Sequence, residues 1–420
     1  PAIRTNTTLF RGISSNATIE NGLSVEWQGD GTKPMFAEMY VLQSNGEIPI
    51  AFTSGNGSLL GTVKKAPDVI DACLTIGNVV TYQDKVQAGN STNSGNIGLI
   101  CNTLESGTIK LDGYAFPTST EINTGSGSAG GLIGKMEGGI LNLTSIGGAN
   151  ISNLTISNLA VNSSSGSAGS IVGEMSETAE IQVNQNITIE NPTIKGKYAG
   201  GFAGKVVNST LSGDKKITIN SPALSSGENK DSAVGGWVGY YIVQGENHVD
   251  KTLPAQIDVA EPKVTMNGGV VTNGGNAGGY FGLLELQGDI NYQISGTEEK
   301  KKNITSEYTA GNGGIYGTVI GKVVTSNDNK KASLIINHVK SNSTTNGKSY
   351  YQGGLVGEIG KNVYLQVSDA EITVSNITTT QESCGFGGVV GHLSSNSIMS
   401  IADSVKVTNS GTISGGGGLV

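Results

Sequence analysis

Apolar residues fall in short alternating runs along most of the chain, and no run keeps a helical period. The segments ILNLTSI (140–146), AEIQVNQNITIE (179–190), KKITIN (215–220), YLQVSDAEITVS (364–375) and SVKVTN (404–409) tend to place an apolar residue at every second position. Asn, Gly and Ser punctuate them. Period two with β-branched residues predicts strands with one buried face. Between these runs one phrase keeps returning, two apolar residues bracketed by Gly or Ser before and Gly after. It reads SLLG (58–61), GLIG (131–134), SIVG (170–173), GFAG (201–204), GWVG (236–239), GYFG (279–282), GIYG (314–317), GLVG (354–357) and GVVG (388–391). GNIG (95–98) is a weaker copy and GLV (418–420) a truncated one. Successive closing glycines lie 31 to 43 residues apart, the signature of a stacked repeat architecture.

Three short strands per repeat, with turns of variable length, predict an all-β chain. The expected fold is a right-handed parallel β-helix (a solenoid) of about ten coils, its hand taken from the general rule for parallel connections. A propeller fits less well, because its blades close a ring and carry recurrent aromatics. Residues 57–420 form the expected repeat domain. Residues 1–56 lack the phrase and are expected to be an N-terminal cap or divergent first coils, including Trp27. The leading glycines are expected at corners with positive φ, and the closing glycine where the coil is narrow or bends. After it, one column runs Lys135, Glu174, Lys205, Tyr240, Leu283, Thr318, Glu358, His392 and is expected to face outward. The next runs Met136, Met175, Val206, Tyr241, Leu284, Val319, Ile359, Leu393 and is expected to face the core. Alternating charge at Lys135, Glu174 and Lys205 predicts a mildly stabilising ladder. Strict alternation would turn Ile133, Val172 and Val356 outward, which predicts a bend or bulge at the glycine.

Composition narrows the function classes. Of 420 residues 64 are Gly and only nine are Pro, which argues against collagen and Pro-rich spacers. The formal net charge is −8, and Arg occurs only at Arg4 and Arg11, so no basic stripe for nucleic acid exists. Three cysteines, Cys73, Cys101 and Cys384, form no framework; a Cys73–Cys101 bridge and two isolated thiols are both open readings. No apolar run approaches the ~20 residues that cross a bilayer, so membrane insertion by this segment is not expected. The opening PAIRTNTTLF implies a removed signal peptide or a trimmed start, and the closing GGGGLV implies a cut in mid-repeat.

The copies GGLIGKM, GSIVGEM, GGLVGEI and GGVVGHL resemble the Gly-Leu-any-Gly (GLUG) repeats of bacterial surface proteins. More loosely, residues 57–420 resemble the β-helical passenger domains of autotransporter adhesins. The resemblance implies display at a cell surface and adhesion. The chain is therefore expected to be exported, as an extracellular adhesin or a structural stalk or fibre. Its expected partners are a protein or glycan of a host, matrix or neighbouring cell, or further copies of itself. A polysaccharide hydrolase or lyase on the same fold is the alternative, and a viral or phage fibre a second one.

Candidate chemistry is sparse, and neither a catalytic residue nor a cofactor or metal is assigned. Asp68 with Asp71, and Glu298 with Glu299, are the close acidic pairs that a hydrolase needs. A turn explains the first pair and a solvated loop tip the second. His248, His338 and His392 lie in different repeats without zinc spacing. The turns GDI (288–290) and SNDNKK (326–331) hold oxygen ligands for calcium, which Asx-turn chemistry explains without a metal. Glycosylation sequons include Asn142, Asn153, Asn186, Asn208, Asn303, Asn342 and Asn376. Long insertions at 225–233, 243–255, 295–313 and 340–352 are the expected recognition loops.

Overall fold

The computed structural model describes residues 2–5, 10–14, 24–28, 33–41, 46–47, 51–144 except 68 and 77–79, 153–245 except 177, 214, 216, 221 and 227–230, 249–252, 271–272, 276–295 except 289, 302–308, 315–322, 332–345, 351–375 and 385–409. The described residues are all strand, turn and bend, with no helix. They fall into two compact units, Pro1–Gly196 with Ser209–Ile217, and Lys197–Asn208 with Thr218–Val420.

In the first unit the phrase strands run in the order Phe10–Ser14, Phe36–Val41, Leu60–Lys65, Cys101–Leu104, Ile133–Met136, Val172–Met175. Each pairs in parallel with the strand one repeat away, as in Ile133↔Val172 and Met136↔Met175. A second sheet takes the runs that follow, among them Cys73–Ile76, Thr108–Asp112, Ile140–Thr144 and Glu180–Val183. A third contains Val80–Gly89, Ser119–Thr124, Leu159–Ser163 and Thr193–Lys195. Strands within residues 1–56 join these same sheets, with Phe36↔Leu60 and Met39↔Val63 in register.

The second unit repeats the arrangement. Its phrase strands are Ala203–Val207, Val238–Gln244, Phe281–Gln287, Tyr316–Lys322, Val356–Ile359 and Val390–Leu393, again parallel. Two long strands, Ala332–Thr345 and Val363–Ser375, pair with each other over most of their length. Lys302–Tyr308 pairs beside the first of them. The expected loops at 295–313 and 340–352 are thus partly strand, because KNITSEY and VKSNSTT carry enough β-forming residues to extend the sheet.

Alternation builds the core. Ile109 and Leu111, Leu141 and Leu143, and Ile181 and Val183 are buried while the residues between them are not. Each such side chain contributes about 1.5–3 kcal/mol of burial. Aromatics at equivalent phrase positions stack in the second unit. Phe202 lies 4.5 Å from Trp237 at 3°, and Phe281 lies 5.3 Å from Tyr316 at 10°. In-register parallel strands, about 4.8 Å apart, impose this face-to-face geometry.

The phrase itself is a sharp corner between two strands. In AGGLIGKM a short strand, Ala129–Gly130, precedes a bend at Gly131 and Leu132, and the phrase strand follows. Ile133 is fully buried although Lys135, two residues on, is not, so alternation breaks across Gly134 as expected, while the bend itself falls earlier, at Gly131 and Leu132. At the corner one carbonyl serves two N–H groups. Leu132 and Ile133 both donate to Ile171 O at 3.0 Å, and Trp237 and Val238 both donate to Tyr280 O at 3.0 and 2.9 Å. A carbonyl has two lone pairs, so no backbone group is lost there.

The glycines act by close approach rather than by positive φ, which corrects the expectation. Those at 130, 131 and 134 stay outside the left-handed region, which is occupied instead by turn residues such as Gly107, Gly139, Asn158 and Asn191. A Cβ on Gly130 would lie 1.9 Å from Ile133 O, where the short strand folds against its own phrase strand. A Cβ on Gly282 would lie 2.5 Å from Val234 N and 2.6 Å from Gly239 O. The closing glycine therefore receives the short strand of the preceding repeat. Gly173, Gly239, Gly317 and Gly391 meet Ala129, Ala199, Ala277 and Gln352 in the same way.

One repeat is registered differently from its sequence reading. Gly98 pairs with the leading Gly130, not with a closing glycine, and Cys101 pairs with Ile133. Asn102 thus stands in the closing position. Among the described residues Ile97–Gly98 begins the short-strand sheet, and no earlier strand of that sheet takes up the space. Asn102 Oδ1 fills it, accepting from Ser58 Oγ at 2.6 Å and from Gly98 N at 3.2 Å.

Gly282→Ala is expected to lower stability by ~3 kcal/mol, because backbone must move to admit the methyl group. A methyl group on Gly95 would meet nothing within 4 Å, and Gly95→Ala is expected to stay within about 0.5 kcal/mol. Urea midpoints for the two variants check the contrast.

Candidate functional site

The outer column keeps the register read from the sequence. Lys135 pairs with Glu174 in the first unit, and Lys205, Tyr240, Leu283, Thr318, Glu358 and His392 succeed one another in the second. Charged side chains of this column also bond to groups beside it. Lys135 Nζ reaches Glu137 Oε1 in the bend just after its strand at 2.9 Å, and Glu174 accepts from Ser128 Oγ at 3.0 Å. Lys64 and Glu105, 3.1 Å apart, add a second outward pair in that unit. Such a face is polar and half-exposed.

The second unit departs from this. Its next outward row is Val207, Ile242, Glu285, Ile320, one carboxylate among aliphatic side chains. Glu285 is only 1% exposed. Lys322 Nζ lies 2.7 Å from Oε1, the Gln287 amide donates to the same oxygen, and the Tyr240 hydroxyl donates to Oε2. Burial works to raise the carboxyl pKa, but the bonds from Lys322, Tyr240 and Gln287 hold it below the ordinary range. The Tyr240 phenol is pushed well up by burial and by its bond to Glu285, so it stays protonated. Three donors, two on Oε1 and one on Oε2, hold the carboxylate, and it in turn positions them. The Tyr240 ring is thereby fixed 4.9 Å from Tyr198, and Lys197 Nζ sits 5.2 Å over the Tyr198 ring.

A similar pairing occurs further along the column. His392 stacks on Tyr351 at 4.2 Å and 13°, with Nδ1 3.5 Å from Glu358 Oε1. Tyr198 and Tyr351 each open a short strand, and each touches the column residue one or more repeats on. His338 and Asp369 form a third cluster. Both have positive φ, 50° and 46°, and each turns its long strand at a single residue, with His338 Nδ1 against Asp369 Oδ2. His and Asp are among the few non-Gly residues that enter this region readily.

Sequence reasoning passed over Glu285, yet a signal was present. Aligned on the closing glycine, its position holds Val207, Ile242 and Ile320 in the adjacent repeats, against Lys64 and Glu137 in the first unit. His338 and Asp369 carried no such signal, because insertions place them at different distances from their phrases.

The acidic pairs are not brought together by anything the structure shows. Asp71 is exposed in a bend, while Asp68, Glu298, Glu299, His248, Asp289, residues 326–331, Cys384 and Asn376 lie outside the described residues. Cys73 and Cys101 are both free thiols, in different sheets, which settles the choice between a bridge and isolated thiols. Burial pushes both thiols up, Cys101 the further. Among the sequons, Asn153 and Asn186 are exposed and in register with each other. Asn142 Oδ1 accepts from Asn184 Nδ2 at 3.1 Å, and Asn208 turns the chain at φ 46°. Asn303 and Asn342 lie within strands. Among the described residues no group of three or more His, Cys, Asp or Glu is placed to hold a metal, and no helix is long and apolar enough to cross a membrane. Comparison with protein-family models, with curated proteins and with solved structures finds no match for the chain.

Because the folded-state pKa of Glu285 is depressed, its contribution to stability is complete above the unfolded carboxylate value near 4.3 and is lost as pH falls through the folded value. Between pH 6 and pH 3 the urea midpoint of Glu285→Gln is expected to fall less than that of the wild type. Lys322→Met removes one donor and is expected to cost about 1–2 kcal/mol at pH 7, discounted because the lysine side chain is 61% exposed. A midpoint for Lys322→Met equal to that of the wild type would contradict this reading.

Proposed function

We propose that the chain is a stretch of right-handed parallel β-helix of about ten coils, belonging to an exported surface protein that acts as an adhesin or as a stalk or fibre. Residues 1–56 serve as its first, divergent coils or cap. The observation that carries this reading is the parallel pairing, within each unit, of successive phrase strands one repeat apart. Such a stack leans only on its neighbours and grows by adding repeats. Its outward columns are free to vary without disturbing the core, so recognition is spread over many weak contacts that sum by avidity. The resemblance of the phrase to GLUG repeats supports display at a cell surface. Partners on this reading are proteins or glycans of a neighbouring cell or matrix, or further copies of the chain.

Beads coated with the 420-residue chain are expected to adhere to epithelial monolayers or matrix-coated surfaces, and soluble chain to compete them off. Beads that bind no better than albumin-coated controls, together with a chain that stays monomeric at high concentration in light scattering, would refute both the adhesive and the self-assembling versions.

A further inference from the structure

We infer that the outer face around Tyr198 and Tyr240 binds a carboxylate-bearing saccharide. The inference rests on the display reading above and names the ligand class for one place on the surface. Four observations point to it.

The row Val207, Ile242, Glu285, Ile320 breaks the polar-outside rule that Lys64, Glu105, Lys135 and Glu137 obey in the first unit. Half-buried aliphatic and aromatic side chains on an outer face mark an interaction surface. Next, the ring of Tyr240 is held in place from below, since its hydroxyl is tied to a buried carboxylate. A tyrosine so fixed offers an apolar platform at little entropic cost, with Tyr198 tilted 52° against it as a second wall. Third, two lysines beside these rings add positive charge although the chain as a whole carries −8. Lys197 lies over Tyr198 and Lys205 is the in-register neighbour of Tyr240, while Lys322 balances the carboxylate of Glu285. Last, Gln244 donates to Gln287 at 3.1 Å, which lines the next row with side-chain amides.

Flat C–H faces of a pyranose suit tyrosine rings, its hydroxyls suit the amides, and its carboxylate suits the lysines. A pyranose is also about as long as the ~4.8 Å strand spacing, so successive sugars fall on successive strands. An acidic peptide shares the charge but lacks the rigid C–H face that the two rings accept.

The test is a calorimetric titration of the full chain with 3′-sialyllactose and with trigalacturonate, two sources of carboxylated sugar, against neutral lactose. At least one acidic sugar is expected to bind at least tenfold more tightly than lactose, with affinity falling as salt is raised. Tyr198→Ala and Lys197→Gln are each expected to weaken that binding at least fivefold while leaving the circular dichroism spectrum unchanged. Tyr240→Phe keeps the ring and loses the tie, and is expected to weaken it by a smaller factor. Absence of binding by both acidic sugars, equal affinity for lactose, indifference to Tyr198→Ala, or equally tight binding of tetraglutamate would overturn the inference. Adhesion of coated beads without acidic-sugar binding would refute this site alone; sugar binding without adhesion or self-association would refute the display reading alone.

Discussion

Two stretches of backbone meet in van der Waals contact at one phrase after another: the short strand of one repeat and the closing glycine of the next. A Cβ on the glycine would sit about as far from the neighbouring amide nitrogen as a hydrogen-bonded atom does, which no packing rearrangement short of moving the strand relieves. That contact sets where the chain can turn. The turn in turn lets one carbonyl accept two N–H groups and lets two consecutive apolar residues be buried. Once the corner is placed, period-two alternation settles which side chains fill the core and which form the outer columns. Asn102 confirms the logic from the opposite direction. Where no described short strand precedes, the glycine is dispensable, and a side-chain amide supplies the acceptor that backbone would have supplied.

Much of this is legible in the residues alone. The outward column from Lys205 to His392 and the inward column from Val206 to Leu393 can be read by aligning on the closing glycine, because the phrase is short and its copies share the same contact. The role of the glycines is harder to read. Composition cannot distinguish a glycine chosen for φ from one chosen for lack of a Cβ, and positive φ goes instead to turn residues such as Gly107, Asn191 and Asn208. The misplacement of the repeat at 95–98 has the same root, since a weak copy with Asn102 in the glycine position offers a false alignment on Gly98.

The candidate surface is only partly visible in the sequence. Glu285 stands out once its row is written beside Val207, Ile242 and Ile320, but its bonding to Tyr240, Gln287 and Lys322 depends on side chains from three adjacent strands. The His338–Asp369 contact requires knowing that one residue in each long strand turns left-handed, which residue type permits but spacing does not announce. Departures from the repeat are what aligning its copies smooths over. The polar outer face of the first unit and the aromatic outer face of the second follow the same backbone rule; only their side chains differ.

The chain returns to the same position after each phrase. Engineered disulfides in a background where Cys73, Cys101 and Cys384 are alanine report on that return. Lys135→Cys with Glu174→Cys places two thiols on in-register neighbours although they are 39 residues apart in the chain. Parallel neighbours fall within the roughly 4.4–6.8 Å Cα range of a disulfide. The account predicts rapid, near-complete oxidation of this pair and little for Lys135→Cys with Ser176→Cys, which is shifted by two residues. Equal oxidation of both pairs, or preferential oxidation of the shifted one, would contradict it.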